Sequence, residues 1–100
     1  MSRQDTIGKT ATVIYTDNNG MTCVKYHDTD VVKFNNDKII LNSGGWKTNT
    51  TKLRMNQASR QFRLDFQVYQ TDFNWYIVIT DLKTMEQSII EFFDGIELTR

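Results

Sequence analysis

Proline is absent from this 100-residue sequence, cysteine and histidine occur once each, and only five residues are glycine. Without proline, no strand or helix is interrupted by a missing backbone N–H. The lone Cys23 excludes an internal disulfide and any zinc site built on several thiolates, and it suits a reducing compartment. The lone His27 excludes every zinc motif that needs two imidazoles. No apolar run approaches the roughly 20 residues that cross a bilayer. The opening "MSRQDTIGKT" lacks the apolar centre of a signal peptide. The expectation is a soluble intracellular protein with no membrane contact.

Net charge is missing too, because 12 Lys and Arg balance 12 Asp and Glu. The signs are nonetheless segregated. Residues 33–64 carry seven bases (Lys33, Lys38, Lys47, Lys52, Arg54, Arg60, Arg63) against Asp37 alone. Residues 65–100 reverse this, with seven acids against Lys83 and Arg100. Segregated charge steers a charged partner even at zero total, unless the two segments face each other across the fold. What remains is ordinary for one globular domain over residues 1–100: 39% hydrophobic, 24% charged and 12% aromatic residues.

The first half reads as strands. "TATVIYT" is rich in β-branched residues and alternates. Asn19-Gly20 in "DNNG" is a two-residue hairpin signal. "MTCVKYHDTDVVKF" reads as one long or interrupted strand, and "KIILN" as the next, which makes a three-stranded meander ended by Gly44-Gly45. "TNTTKLRMNQASRQFRL" then holds a helix over about residues 50–63, with Asn49, Thr50 or Thr51 as N-cap. At 100° per residue, Thr51, Met55, Ala58 and Phe62 form an apolar stripe, while Lys52, Asn56, Arg60 and Arg63 line another face beside Leu53. "FQVYQ" and "NWYIVIT" form a hairpin around "TDFN", the second strand apolar on both faces and therefore central. "MEQSIIEFF" is read as a strand, with Asp94-Gly95 turning into "IELTR". The fold class expected is α+β: a small antiparallel sheet of about six strands packed on one central helix.

The polar block "LNSGGWKTNTTKLRMNQ" has three candidate chemistries. A P-loop needs two glycines flanking four residues before Lys-Ser/Thr, and here the glycines are adjacent. A looser anion contact at the helix start, through threonine hydroxyls and Lys52, stays open beside plain capping. Asp28 and Asp30 share a strand face, a weak arrangement for an oxygen-ligated cation and a common one for surface acids. Cys23 and His27 have no activating neighbour in sequence, so neither catalysis nor a metal or cofactor is expected. Nucleic-acid binding needs cations for phosphate and aromatic platforms for bases. Lys52, Arg54, Asn56, Arg60 and Arg63, with Trp46 in the glycine-freed loop, offer both, although Trp46 equally suits a plug beneath the sheet.

The block also resembles a family of small proteins encoded by tailed bacteriophages. The likeness rests on Tyr26, His27, Thr29, Val31 and Val32; on Asn42, Gly44, Gly45, Trp46, Thr48, Thr50, Thr51, Lys52, Arg54, Met55 and Asn56; and on Phe66, Val68 and Trp75. The resemblance implies a setting, the cytoplasm of an infected bacterium, and supplies no catalytic residues. The reading that follows is a non-enzymatic binding module using the Gly44–Arg63 loop-helix surface, with nucleic acid slightly preferred as partner. The alternative is a modulator of a host enzyme or defence factor, docking through Leu53 and unpaired strand edges.

Overall fold

The computed structural model describes residues 11–45, 47–81 and 83–100. Within them the β-branched and aromatic runs become β1 (Thr12–Thr16), β2 (Thr22–Tyr26), β3 (Thr29–Phe34), β4 (Lys38–Leu41), β5 (Phe66–Thr71), β6 (Asn74–Asp81), β7 (Glu86–Glu91) and β8 (Ile96–Thr99). The threonine-rich segment becomes α1 (Asn49–Phe62). The class is α+β, as expected. The strands, however, form two antiparallel sheets, a larger one ordered β1-β2-β3-β4-β8 and a smaller one ordered β5-β6-β7.

Of the strand forms expected over residues 21–34 the interrupted one is observed, and the final turn departs from expectation. His27 takes a left-handed φ of 56°, which breaks the run over residues 21–34 into β2 and β3 around a tight turn. Asp94-Gly95 does not fold β8 back onto β7. Instead β8 crosses to β4, where Leu98 faces Ile39 and Ile96 faces Leu41. All four side chains are buried, so the pairing removes four large apolar groups from water. Each such burial stabilises the fold by about 1.5–3 kcal/mol.

The core lies between the sheets and α1. Val24, Val32, Leu41 and Ile96 form one cross-strand row of the larger sheet, and Phe34, Ile39 and Leu98 form the next. Met55 and Ala58 of α1 and Val68, Trp75 and Ile77 of the smaller sheet complete the cluster. The expected stripe on α1 is therefore the buried one. Its last member, Phe62, packs against Phe34 with the rings tilted by 47° and their centroids 4.9 Å apart. The N-cap lies one residue before the first of those expected: it is Thr48, its hydroxyl accepting the Thr51 N–H at 3.2 Å.

The first hairpin turns through residues 17–21, with only Gly20 at positive φ, so the tight Asn19-Gly20 turn is replaced by a longer one. Asp17 organises it. One carboxylate oxygen accepts the N–H groups of Asn19 (2.9 Å) and Met21 (3.0 Å), and the other meets Lys33 at 3.3 Å. The Met21 N–H, followed by Asn19 and Lys33, holds this carboxyl below its ordinary pKa. A lowered folded pKa contributes stability above the unfolded value of about 3.9 and loses it as pH falls through the folded value. Asp17→Asn is expected to lower Tm at neutral pH, with the gap to wild type closing as pH drops below about 4. Thermal melts across pH check this, and a gap that persists in acid contradicts it.

Candidate functional site

The two glycines of the polar block are held by the segment that precedes them. Asn42 Oδ1 accepts the Gly44 N–H at 2.7 Å, and Ser43 Oγ accepts the Gly45 N–H at 3.2 Å. Ser43 itself is tied through its N–H and hydroxyl to Asp94 Oδ1, at 2.8 and 2.7 Å, so the loop is pinned to the connection between β7 and β8. Gly44 lies against the β2–β3 turn so closely that a Cβ there would overlap the Thr29 hydroxyl. The fold thus brings together two segments that lie apart in sequence. Tyr26, His27, Asp28 and Thr29 line a cavity of about 350 Å³ with Ser43 and with Thr51 of the first turn of α1. Trp46 lies outside the described residues.

The remaining residues singled out on α1 meet different fates. Arg54 is 6% exposed. Its Nε donates to Thr12 Oγ1 at 2.9 Å, its Nη1 donates to Gln57 Oε1 at 3.1 Å, and its guanidinium lies 5.6 Å from the Tyr26 ring. Asn56 faces the edge of β5, where Nδ2 donates to the Val68 carbonyl at 2.9 Å and Oδ1 accepts the Val68 N–H at 2.8 Å. One turn on, the Ser59 hydroxyl donates to the Phe66 carbonyl at 2.6 Å and accepts the Phe66 N–H at 3.1 Å. Lys52 continues the line, reaching Gln70 Oε1 at 3.1 Å with its ammonium 5.7 Å from the Trp75 ring. The polar face of α1 is therefore a seam along β5.

Arg60 and Arg63 stand at the far end of that seam. They border an open cleft of about 360 Å³ whose floor includes Gln67, Val78, Thr80 and Gln87. Arg63 ends the helix in the left-handed region at φ 55°, while the Leu64 N–H caps the Ser59 carbonyl. The cleft opens onto the outer face of the smaller sheet, where Tyr69 and Tyr76 lie opposite one another with ring centroids 5.6 Å apart. β6 is central in the smaller sheet, as expected, but it is not covered on both faces, because Tyr76 and Val78 are half-exposed on this one.

Residues that sequence reasoning passed over cluster around the same sheet. Phe73 is 93% exposed at the tip of the β5–β6 hairpin, and Met85, Ile89 and Phe93 are exposed along β7 and its flanks. Alternation in "SIIEFF" was the available signal: Ile90 and Phe92 turn inward, which leaves Ile89 and Phe93 out. Asp28 and Asp30, read as a shared face, part company. Asp30 receives the Tyr15 hydroxyl at 2.7 Å, a bond that pushes the phenol above its ordinary pKa, while Asp28 borders the cavity beside His27. Burial pushes the Cys23 thiol up. Among the described residues, no group of three or more His, Cys, Asp or Glu is placed to hold a metal ion, and no helix is long and apolar enough to cross a membrane.

Two sets of substitutions separate these roles. Asn56→Ala leaves both backbone groups of Val68 without their partner and is expected to cost about 2 kcal/mol, whereas Lys52→Ala at an exposed contact costs less than about 1 kcal/mol. Gly44→Ala adds a clash with Thr29 to left-handed strain and costs about 2 kcal/mol or more, whereas Gly45→Ala, with open space around it, costs only about 1 kcal/mol. Urea unfolding reads all four, and equal losses within either pair contradict the assignment.

No curated protein and no solved structure matches the chain. A family model does, over residues 1–99, and it covers the cavity, the seam and both sheets. The chain belongs to the Kyanoviridae Gp96 protein family, a phage protein family.

Proposed function

We propose that this phage protein is a non-enzymatic binding protein whose partner is a protein of the infected cell, engaged through the open side of the smaller sheet. The observation that carries the reading is the run of apolar side chains left in water there: Phe73, Met85, Ile89 and Phe93. Scattered exposed apolar residues are normal, whereas several on one small sheet with an open strand edge mark an interaction surface. Phe73 adds a cost in backbone conformation. It sits at φ 70° beside Asp72 at φ 50°, the φ signs of a type I′ turn, where Asn-Gly or Asp-Gly is the favoured pair. A bulky side chain in that region is uncommon and opposes stability.

The nucleic-acid reading draws on less of α1 than the sequence alone suggests. Arg54 and Asn56 are occupied within the fold, and Lys52 meets Gln70. Arg60 and Arg63 still border a polar cleft beside the Tyr69–Tyr76 pair, which keeps single-stranded nucleic acid as the second reading.

Tagged protein incubated with nuclease-treated host lysate is the test. The protein reading expects one stoichiometric partner to be retained. Phe73→Gly, which creates the favoured Asp-Gly turn, is expected to raise Tm by about 4 °C or more while reducing retention. Retention that vanishes with nuclease, together with oligonucleotide binding that weakens with salt and with Arg60→Ala plus Arg63→Ala, transfers the function to nucleic acid.

A further inference from the structure

The smaller sheet has two edges, and among the described residues only one is closed. Along β5 the hydroxyl of Ser59 and the amide of Asn56 occupy the backbone groups of Phe66 and Val68. Along β7, no strand among the described residues pairs with the side away from β6. The register identifies which groups are left. Phe92 donates its N–H to the Trp75 carbonyl, and Ile90 faces Ile77. In an antiparallel ladder the bonded pairs alternate, so the N–H and C=O groups of Gln87, Ile89 and Glu91 point away from the sheet.

Side chains on this edge sort by chemistry along its length. Ile89 stands at the centre, 62% exposed. Glu86 and Glu91 close the two ends of the strand, and neither has a cationic partner among the described residues. Asp81, at the end of β6, faces Glu86 and adds to the acidic field, which Lys83 in the same turn partly offsets. The strand has neither a bulge nor a proline to block pairing. A second copy is a poor occupant, since it brings the same acids to the same edge. The edge fits an extended segment that is apolar at its centre and basic at its ends.

We propose that β7 receives such a basic-ended strand from the partner protein, which it adds to the smaller sheet as a fourth member. The inference rests on the protein-binding reading and specifies its contact. Backbone bonds at Gln87, Ile89 and Glu91 supply register, Ile89 supplies apolar contact, and the two glutamates favour basic-ended strands and oppose acidic ones.

The probe is a nine-residue peptide, Lys-Lys-Thr-Val-Thr-Val-Thr-Lys-Lys, compared with the same peptide ended in glutamates. By NMR, the lysine-ended peptide is expected to shift the Gln87, Ile89 and Glu91 amides and slow their hydrogen exchange. Its binding should be about tenfold tighter than that of the glutamate-ended peptide and should weaken with added salt. Gln87→Pro removes an outward N–H without touching the ladder to β6, so Tm is expected to hold within about 3 °C while peptide affinity falls about tenfold. Glu86→Lys combined with Glu91→Lys alters only exposed side chains, and it should reverse the preference between the peptides.

Equal binding of the two peptides, no binding of either, or shifts centred away from β7 overturns the proposal. So does a wild-type dimer that Gln87→Pro converts to monomer, because the edge then belongs to a second copy. Should Gln87→Pro retain the lysate partner while Phe73→Gly releases it, the protein-binding reading stands and the β7 contact falls. Should the lysine-ended peptide bind as described while the lysate yields no partner, the β7 edge stands and the host-protein reading falls.

Discussion

The small sheet exists in its observed place because a helix closes one of its edges. A free strand edge presents N–H and C=O groups that must find water or a partner. On β5 that partner is α1, through two side chains three residues apart that meet two strand residues two positions apart. The helix advances about 4.5 Å over that interval and the strand about 6.6 Å, a mismatch that flexible side chains absorb over two contacts. The same helix buries Met55 and Ala58 in the core shared with the larger sheet. One element therefore supplies apolar contact in one direction and hydrogen bonds in another, and the two sheets are joined through it.

That arrangement also distributes the charge. The basic segment contributes α1, which lies along the β5 edge, and the acidic segment contributes β7 on the opposite edge of the three-stranded sheet. At the smaller sheet the segregation along the chain becomes segregation in space, whereas at β4–β8 the two segments meet, Lys38 lying 3.3 Å from Glu97. Arg54 is withdrawn from both arrangements, its guanidinium lying among Thr12, Gln57 and the Tyr26 ring. Desolvating a cation opposes folding unless its donors are satisfied. A planar group that both donates hydrogen bonds and stacks on an aromatic ring suits that site better than a lysine would.

What could be read from the sequence follows what is local. The stripe Thr51–Met55–Ala58, the hairpin through Asp72-Phe73 and the α+β class all depend on spacing within a few residues, and all are present. The crossing of β8 to β4 depends on contacts more than fifty residues apart, and the nearby Asp94-Gly95 turn signal pointed to a local hairpin instead. The candidate site divides in the same way. Helical periodicity placed Lys52, Asn56, Arg60 and Arg63 on one face, but it carries no information about what that face meets. A polar face reads as solvent-facing by default, and an edge sealed by hydrogen bonds calls for the same residue types.

Closing one edge sharpens the meaning of the other. Had both β5 and β7 been left open, the exposed apolar residues would describe only a poorly covered sheet. Instead the chain seals one side with paired hydrogen bonds and leaves Ile89 in water on the other. Its hairpin tip follows the same pattern. Gly20 takes the left-handed position in the first hairpin, while the second places Phe73 there, almost wholly in water. A glycine at that tip would relieve the strain and remove the exposure, so folding stability alone gives no reason for phenylalanine. A contact made by its ring outside the fold does give one, and it lies on the same small sheet as the open edge.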